Sequence, residues 1–128
     1  MQVTRIKVNN INSNYSIIIG KDVLKQIPSR IKTLCPLAKK IILIVDKKIP
    51  KKYKYKLKNI LNKYEIYIFE YSVSEKFKSF ENVNKLVEKC LSYNLNRSDI
   101  LISFGGGIIG DLGAFAASIF KRGINFIN

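Results

Sequence analysis

A chain of 128 residues, 47% hydrophobic, 11% aromatic and 25% charged, has room for one modest domain with a real core and too little for two, so residues 1–128 are read as a single unit. That composition excludes a disordered chain, and apolar runs no longer than residues 41–45 and 100–104 exclude a membrane-spanning helix, which needs ~20 residues. A formal net charge of +14 raises binding to nucleic acid or to an anionic membrane, but residues 1–63 hold 16 Lys and Arg against 2 Asp and Glu, while residues 64–128 hold 7 against 7.

The opening QVTRIKV and YSIIIG are two short strands around the turn-rich NNINSN, a hairpin expected at the edge of a sheet. The same opening lacks a basic end joined to a hydrophobic block, so it does not read as a secretory signal, and a cytoplasmic location is expected. Residues 21–34 place Val23, Leu24, Ile27, Ile31 and Leu34 at helical spacing, with Pro28 making that helix irregular. KIILIV is a strand of the kind buried on both faces, and Asp46 follows it. Pro50 can open the next helix, whose apolar side is Tyr53, Leu57, Ile60, Leu61 and Tyr64; ten lysines in residues 39–63 are read as its solvated face and surroundings. The preference for Lys over Arg also fits a coding sequence rich in A and T.

EIYIFEY is the next strand, after which Ser79 caps a helix with Phe80, Val83, Leu86, Val87, Cys90 and Leu91 on one side and Asn94 at a left-handed exit. ILISF is a further strand running straight into glycines. Cys35 and Cys90 are read as reduced, buried thiols, since a chain without histidine offers them no partner ligands. Strands of four to seven residues alternating with helices imply parallel βαβ units, and hence an α/β fold: an open, mostly parallel sheet with helices on both faces and an amino-terminal hairpin. Ligands bind such sheets beyond the carboxyl ends of the strands, where Asp46, the SEKFKS loop and the glycines are expected.

Gly105, Gly106 and Gly107 precede a helical stretch, so their backbone amides and the positive end of that helix can face an anion; a tight turn is the other reading. The pattern is neither the G-x-G-x-x-G fingerprint nor a Walker loop. Asp111 can accept hydrogen bonds from sugar or ring hydroxyls, or simply favour the helix dipole from the first turn. Lys121 and Arg122 complement the dipole at the other end, or Arg122 aims a guanidinium at a carboxylate or phosphate.

GGGIIGDLGAFAAS, followed by KRG and NFI, resembles the signature of 3-dehydroquinate synthase, a sugar-phosphate cyclase of the shikimate pathway and of aromatic amino acid biosynthesis. SEKFKS resembles that family's Gly-Glu-x-x-Lys-Ser loop, and IVDKKI its strand-then-Asp segment. The resemblance implies a Rossmann-like domain that binds NAD, with Asp46, Glu75, Lys78, Gly106, Gly107, Ile108 and Asp111 on cofactor-binding places and Arg122 on a substrate-binding place. It also implies a sugar phosphate substrate, 3-deoxy-D-arabino-heptulosonate 7-phosphate, converted to 3-dehydroquinate and phosphate by a homodimer. The zinc or cobalt ion and the catalytic side chains of that family belong to a helical carboxyl-terminal domain absent from these 128 residues, so the chain carries no expected catalytic residue or metal ligand and is expected to be inactive alone.

Ser74 and Ala114 stand where the family has glycine, small-for-small departures with modest expected effects. Iron-dependent alcohol and glycerol dehydrogenases share the architecture, but their GGGS-x-x-D loop does not fit GGGIIGD. Other sugar-phosphate cyclases are closer rivals. A basic module on nucleic acid or membrane would leave GGGIIGD unexplained, so no specific nucleic acid and no membrane are expected as partners. A non-catalytic protein keeping the fold is the remaining alternative.

Overall fold

The computed structural model describes residues 2–128. Strand β1 (Thr4–Asn9) pairs antiparallel with β2 (Asn14–Ile19), closed by a turn in which the Asn10 amide donates to the Ser13 carbonyl at 2.9 Å. The register puts Thr4, Ile6 and Val8 opposite Ile19, Ile17 and Tyr15 on one face, and Arg5, Lys7 and Asn9 opposite Ile18, Ser16 and Asn14 on the other. The hairpin is therefore amphipathic, as the sequence implies. It is not at the edge of the main sheet, however: it forms a two-stranded sheet of its own. At its open end the pairing continues one step further, a Cβ on Gly20 falling 3.0 Å from Val3 Cα.

After a 3-10 turn at residues Val23–Gln26, helix α1 (Ile27–Leu34) begins, with Pro28 in its first turn. One irregular helix over residues 21–34 is thus replaced by a turn and a shorter helix, since proline lacks the N–H only an interior position would need. The four-stranded sheet then follows: β3 (Lys40–Asp46), β4 (Glu65–Tyr71), β5 (Ile100–Phe104) and β6 (Asn125–Ile127), all parallel, in the order β4-β3-β5-β6. Helices α2 (Lys51–Ile60), α3 (Phe80–Ser92) and α4 (Gly107–Ile119) make the crossovers.

Alternation along the central strands divides the core into two layers. Ile42, Ile44 and Leu101 face Val83, Leu86 and Cys90 of α3 and Ile109, Leu112, Ala116 and Ala117 of α4. Ile41, Leu43, Val45, Ile100 and Ile102 face Ile31 of α1, Leu57 of α2 and Leu61 just after it. Phe80 and Leu91, placed on the apolar side of α3 by spacing, are 81% and 54% exposed: the buried stripe is narrower, running through Val83, Leu86 and Cys90. Likewise Tyr53 and Leu34 stay exposed.

The caps follow the residue chemistry. The Asn82 amide donates to Ser79 Oγ at 3.3 Å, and Asn94 leaves α3 at a φ of 53°. The lysines of α2 point largely to water, with Lys54 bridging Glu70 and Lys56 bridging Asp22, both at 2.7 Å. Among the described residues no helix is long and apolar enough to cross a membrane.

Candidate nucleotide-binding site

The chain leaves β3 toward β4 through α2 on one face of the sheet, and leaves β5 toward β6 through α4 on the other. Adjacent strands β3 and β5 therefore send their connections to opposite sides, and a crevice opens between their carboxyl ends, the switch point at which such sheets take ligands. Asp46 ends β3 and Gly105 follows β5. The two meet: a Cβ on Gly105 would lie 3.0 Å from Asp46 Cβ, so only glycine lets the loop pass this close.

Gly106 caps α4 in extended backbone, and its carbonyl accepts the Gly110 amide at 3.1 Å. A Cβ on Gly106 or on Gly107 would meet nothing within 4 Å. These positions thus face open space, and the first amides of α4 have no intrahelical acceptors. Bare backbone and a helix amino terminus together make a cradle for an anion. The half-buried Ile108 follows in the first turn, beside the buried Ile109. Beneath the cradle, the buried Ser103 hydroxyl donates to the Ile109 carbonyl at 3.1 Å, and a Cβ on Gly113 would fall 2.0 Å from Ser103 Oγ. Gly113 therefore lets α4 lie directly on β5, which fixes the height of the loop.

Asp46 Oδ1 accepts the Lys48 amide at 2.9 Å, which holds the turn after β3 and leaves Oδ2 available. The SEKFKS loop comes from the neighbouring strand β4. Its Phe77 ring packs 5.0 Å from Tyr71, and its Phe77 carbonyl accepts Asn82 Nδ2 at 2.8 Å. Glu75 is exposed in the 3-10 turn. Lys78 reaches across to α4, its Nζ 2.6 Å from Asp111 Oδ2. That hydrogen bond and the adjacent carboxylate charge raise the Lys78 pKa, so the ammonium stays protonated.

The structure places Asp46 at the end of β3, Glu75 and Lys78 in the connection after β4, and Gly106, Gly107, Ile108 and Asp111 at the start of α4, all at the carboxyl end of the sheet. Arg122 is not among them. It lies beyond the last turn of α4, about 20 Å along a 13-residue helix from the glycines, at the amino ends of the strands. Two residues that hold this frame, Asn82 and Ser103, were not read from the sequence. Only the buried position of Ser103 inside ILISF hinted that a polar group there needs a partner.

A cradle that a side chain would fill, an acidic side chain at the switch point and a lysine poised beside the loop fit a nucleotide cofactor of the NAD type. A divalent metal does not fit: the chain has no histidine, and among the described residues no three of Cys, Asp and Glu gather to hold one.

Fold and site define an open parallel α/β sheet with a candidate anion cradle at its switch point. Residues 68–128 match the family model described as 3-dehydroquinate synthase N-terminal. The whole chain is 40% identical to the 3-dehydroquinate synthase of Pelagibacter ubique, covering 35% of it, and 89% of the chain is 40% identical to that of Clostridium botulinum, covering 33%. A solved structure of 2-deoxy-scyllo-inosose synthase, complexed with carbaglucose-6-phosphate, NAD+ and Co2+, superposes on 96% of the chain and 33% of its own with a TM-score of 0.83 at 22% identity. The chain is similar to the amino-terminal part of 3-dehydroquinate synthases and spans about a third of the length of the curated relatives it matches.

Proposed function

We propose that this chain is the NAD-holding part of a 3-dehydroquinate synthase, the cytoplasmic homodimer that converts 3-deoxy-D-arabino-heptulosonate 7-phosphate to 3-dehydroquinate and phosphate. The observation that carries the proposal is the glycine loop at the switch point, open at Gly106 and Gly107 and closed against Asp46 at Gly105. In this reading the amides of Gly106, Gly107 and Ile108 receive the pyrophosphate, and Asp46 Oδ2 and Glu75 accept from ribose hydroxyls. Lys78 supplies the counter-charge, and Asp111 holds its ammonium at the edge of the cradle. NAD, when bound, takes up and returns a hydride. Arg122 is the substrate-facing residue, although α4 separates it from the cradle. No residue of the chain is fitted to carry phosphate elimination, so the 128-residue chain alone is expected to release no phosphate from the substrate.

Calorimetry with NAD tests the reading. The chain is expected to bind NAD weakly, Gly106→Val to abolish binding by filling the open position, and Lys78→Met to weaken it about tenfold, the loss of one charge-assisted hydrogen bond. An unchanged affinity in Gly106→Val removes the cradle from the proposal.

A further inference from the structure

The glycine loop is tied to the sheet by a hydroxyl that lies outside it. We propose that Ser103 is a positioning residue for anion binding, which aligns and polarises the Gly107 amide through two peptide units in the first turn of α4. The inference rests on the reading of the glycine loop as a pyrophosphate cradle and adds to it a residue that touches no ligand.

The connection runs along the backbone. Ser103 Oγ donates to the Ile109 carbonyl at 3.1 Å. That carbonyl shares a peptide unit with the Gly110 amide, which donates to the Gly106 carbonyl at 3.1 Å. The Gly106 carbonyl in turn shares its unit with the Gly107 amide, the first N–H of α4, which has no acceptor within the helix and borders the open positions of the loop. A carbonyl that accepts a hydrogen bond makes the N–H of its own peptide unit a stronger donor, so polarisation passes from the sheet to the cradle. The donor strengthened last is the one that faces the ligand.

Satisfying the helix does not require this bond. Helix geometry already gives the Ile109 carbonyl the Gly113 amide, four residues on, as its partner. The Ser103 bond is a second one, and it comes from a side chain 4% exposed on a strand whose residues 100–102 are all buried and apolar. An alanine there would need no partner at all. The fold also makes room for the hydroxyl: Ser103 Oγ occupies the space that a side chain at Gly113 would take. Among the described residues no other side chain hydrogen-bonds the backbone of residues 105–110, and Gly106 at the start of α4 has no side chain to cap with.

Two variants of the 128-residue chain test the inference by NMR, calorimetry with NAD and urea denaturation. In Ser103→Ala the Ile109 carbonyl carbon and the amide protons of Gly110 and Gly107 should shift upfield, and NAD affinity should fall about fivefold, the scale of one hydrogen bond. Adding Gly113→Ala to Ser103→Ala fills the vacated space, leaving the side-chain ends of Ile44 and Leu101 3.1 Å from the new methyl group, and alanine favours the helix. The urea midpoint of this double variant should return at least to that of the parent, while the shifts and the weakened affinity stay as in Ser103→Ala. If Ser103 only packs the interface, affinity recovers together with the midpoint, and the inference is overturned. Gly106→Val separates the two readings. Full NAD binding by Ser103→Ala, when Gly106→Val binds none, overturns the role of Ser103 and keeps the cradle; unchanged binding by Gly106→Val removes the cradle and this inference with it.

Discussion

Strands β2 and β3 are both isoleucine-rich, yet residues 41–45 of β3 are wholly buried while Ile17 and Ile19 of β2 are 42% and 51% exposed. The difference lies outside the strands. β3 has a strand on each side and a helical layer on each face, so its alternation supplies two cores at once. β2 has one partner strand and no covering layer among the described residues. A strand pattern states which face is apolar; only the rest of the chain decides whether that face is buried. Stability should therefore reside in the four-stranded unit, and substitutions there and in the hairpin should differ sharply.

The largest effect is expected where α4 meets β5. Gly113→Ala puts a methyl group 2.0 Å from Ser103 Oγ and 3.1 Å from Ile44 Cδ1 and Leu101 Cδ2. Helix propensity favours alanine, but three neighbours must move and the bond from Ser103 to the Ile109 carbonyl is displaced. Urea denaturation should show a loss of about 1–3 kcal/mol, the usual scale of core overpacking. An unchanged midpoint would mean that α4 rides higher on the sheet than described, and the glycine loop with it.

This contact also marks how far the sequence could be read. The parallel sheet, its order of elements and the gathering of Asp46, the SEKFKS loop and the glycines were legible, because buried strands, caps and turns are local patterns and parallel strands put successive loops at one end. No local pattern in GDLGAFAAS marked Gly113 as the point where α4 meets β5. Arg122 was read at the far end of the helix that follows the glycines, where the structure has it, and its substrate-binding place rests on the resemblance alone. The polar clamp of Asp99 and Asn125 joins residues 26 positions apart and had no local signature.

A second effect separates the two cysteines. Burial pushes the Cys90 thiol up to about 11, while Cys35, half-buried after α1, is raised by burial that is less complete. Below pH 9 both folded and unfolded chains keep Cys90 protonated and it contributes no pH dependence. Between pH 9 and about 11 the unfolded chain ionises first, so stability falls as pH rises, by on the order of 1–2 kcal/mol. Cys90→Ala should flatten that slope relative to the parent chain, and iodoacetamide at pH 8 should alkylate Cys35 before Cys90. Equal alkylation rates would show that the α3 layer opens far more easily than its packing implies.

The smallest effect is expected in the hairpin. Ile6 and Ile17 stand opposite each other on its apolar face, 45% and 42% exposed, so threonine at both positions keeps the β-branched shape that suits a strand and removes apolar surface already largely in water. The double variant Ile6→Thr, Ile17→Thr should change the unfolding free energy by no more than about 0.5 kcal/mol, the scale of exposed substitutions, while leaving the denaturant slope unaltered. Denaturation at several protein concentrations gives the experiment its edge. If the 128-residue chain uses that face for self-association, the parent midpoint will rise with concentration and the variant midpoint will not. A large loss at every concentration would instead mean that the hairpin folds back onto the four-stranded unit, and the contrast between β2 and β3 would fail.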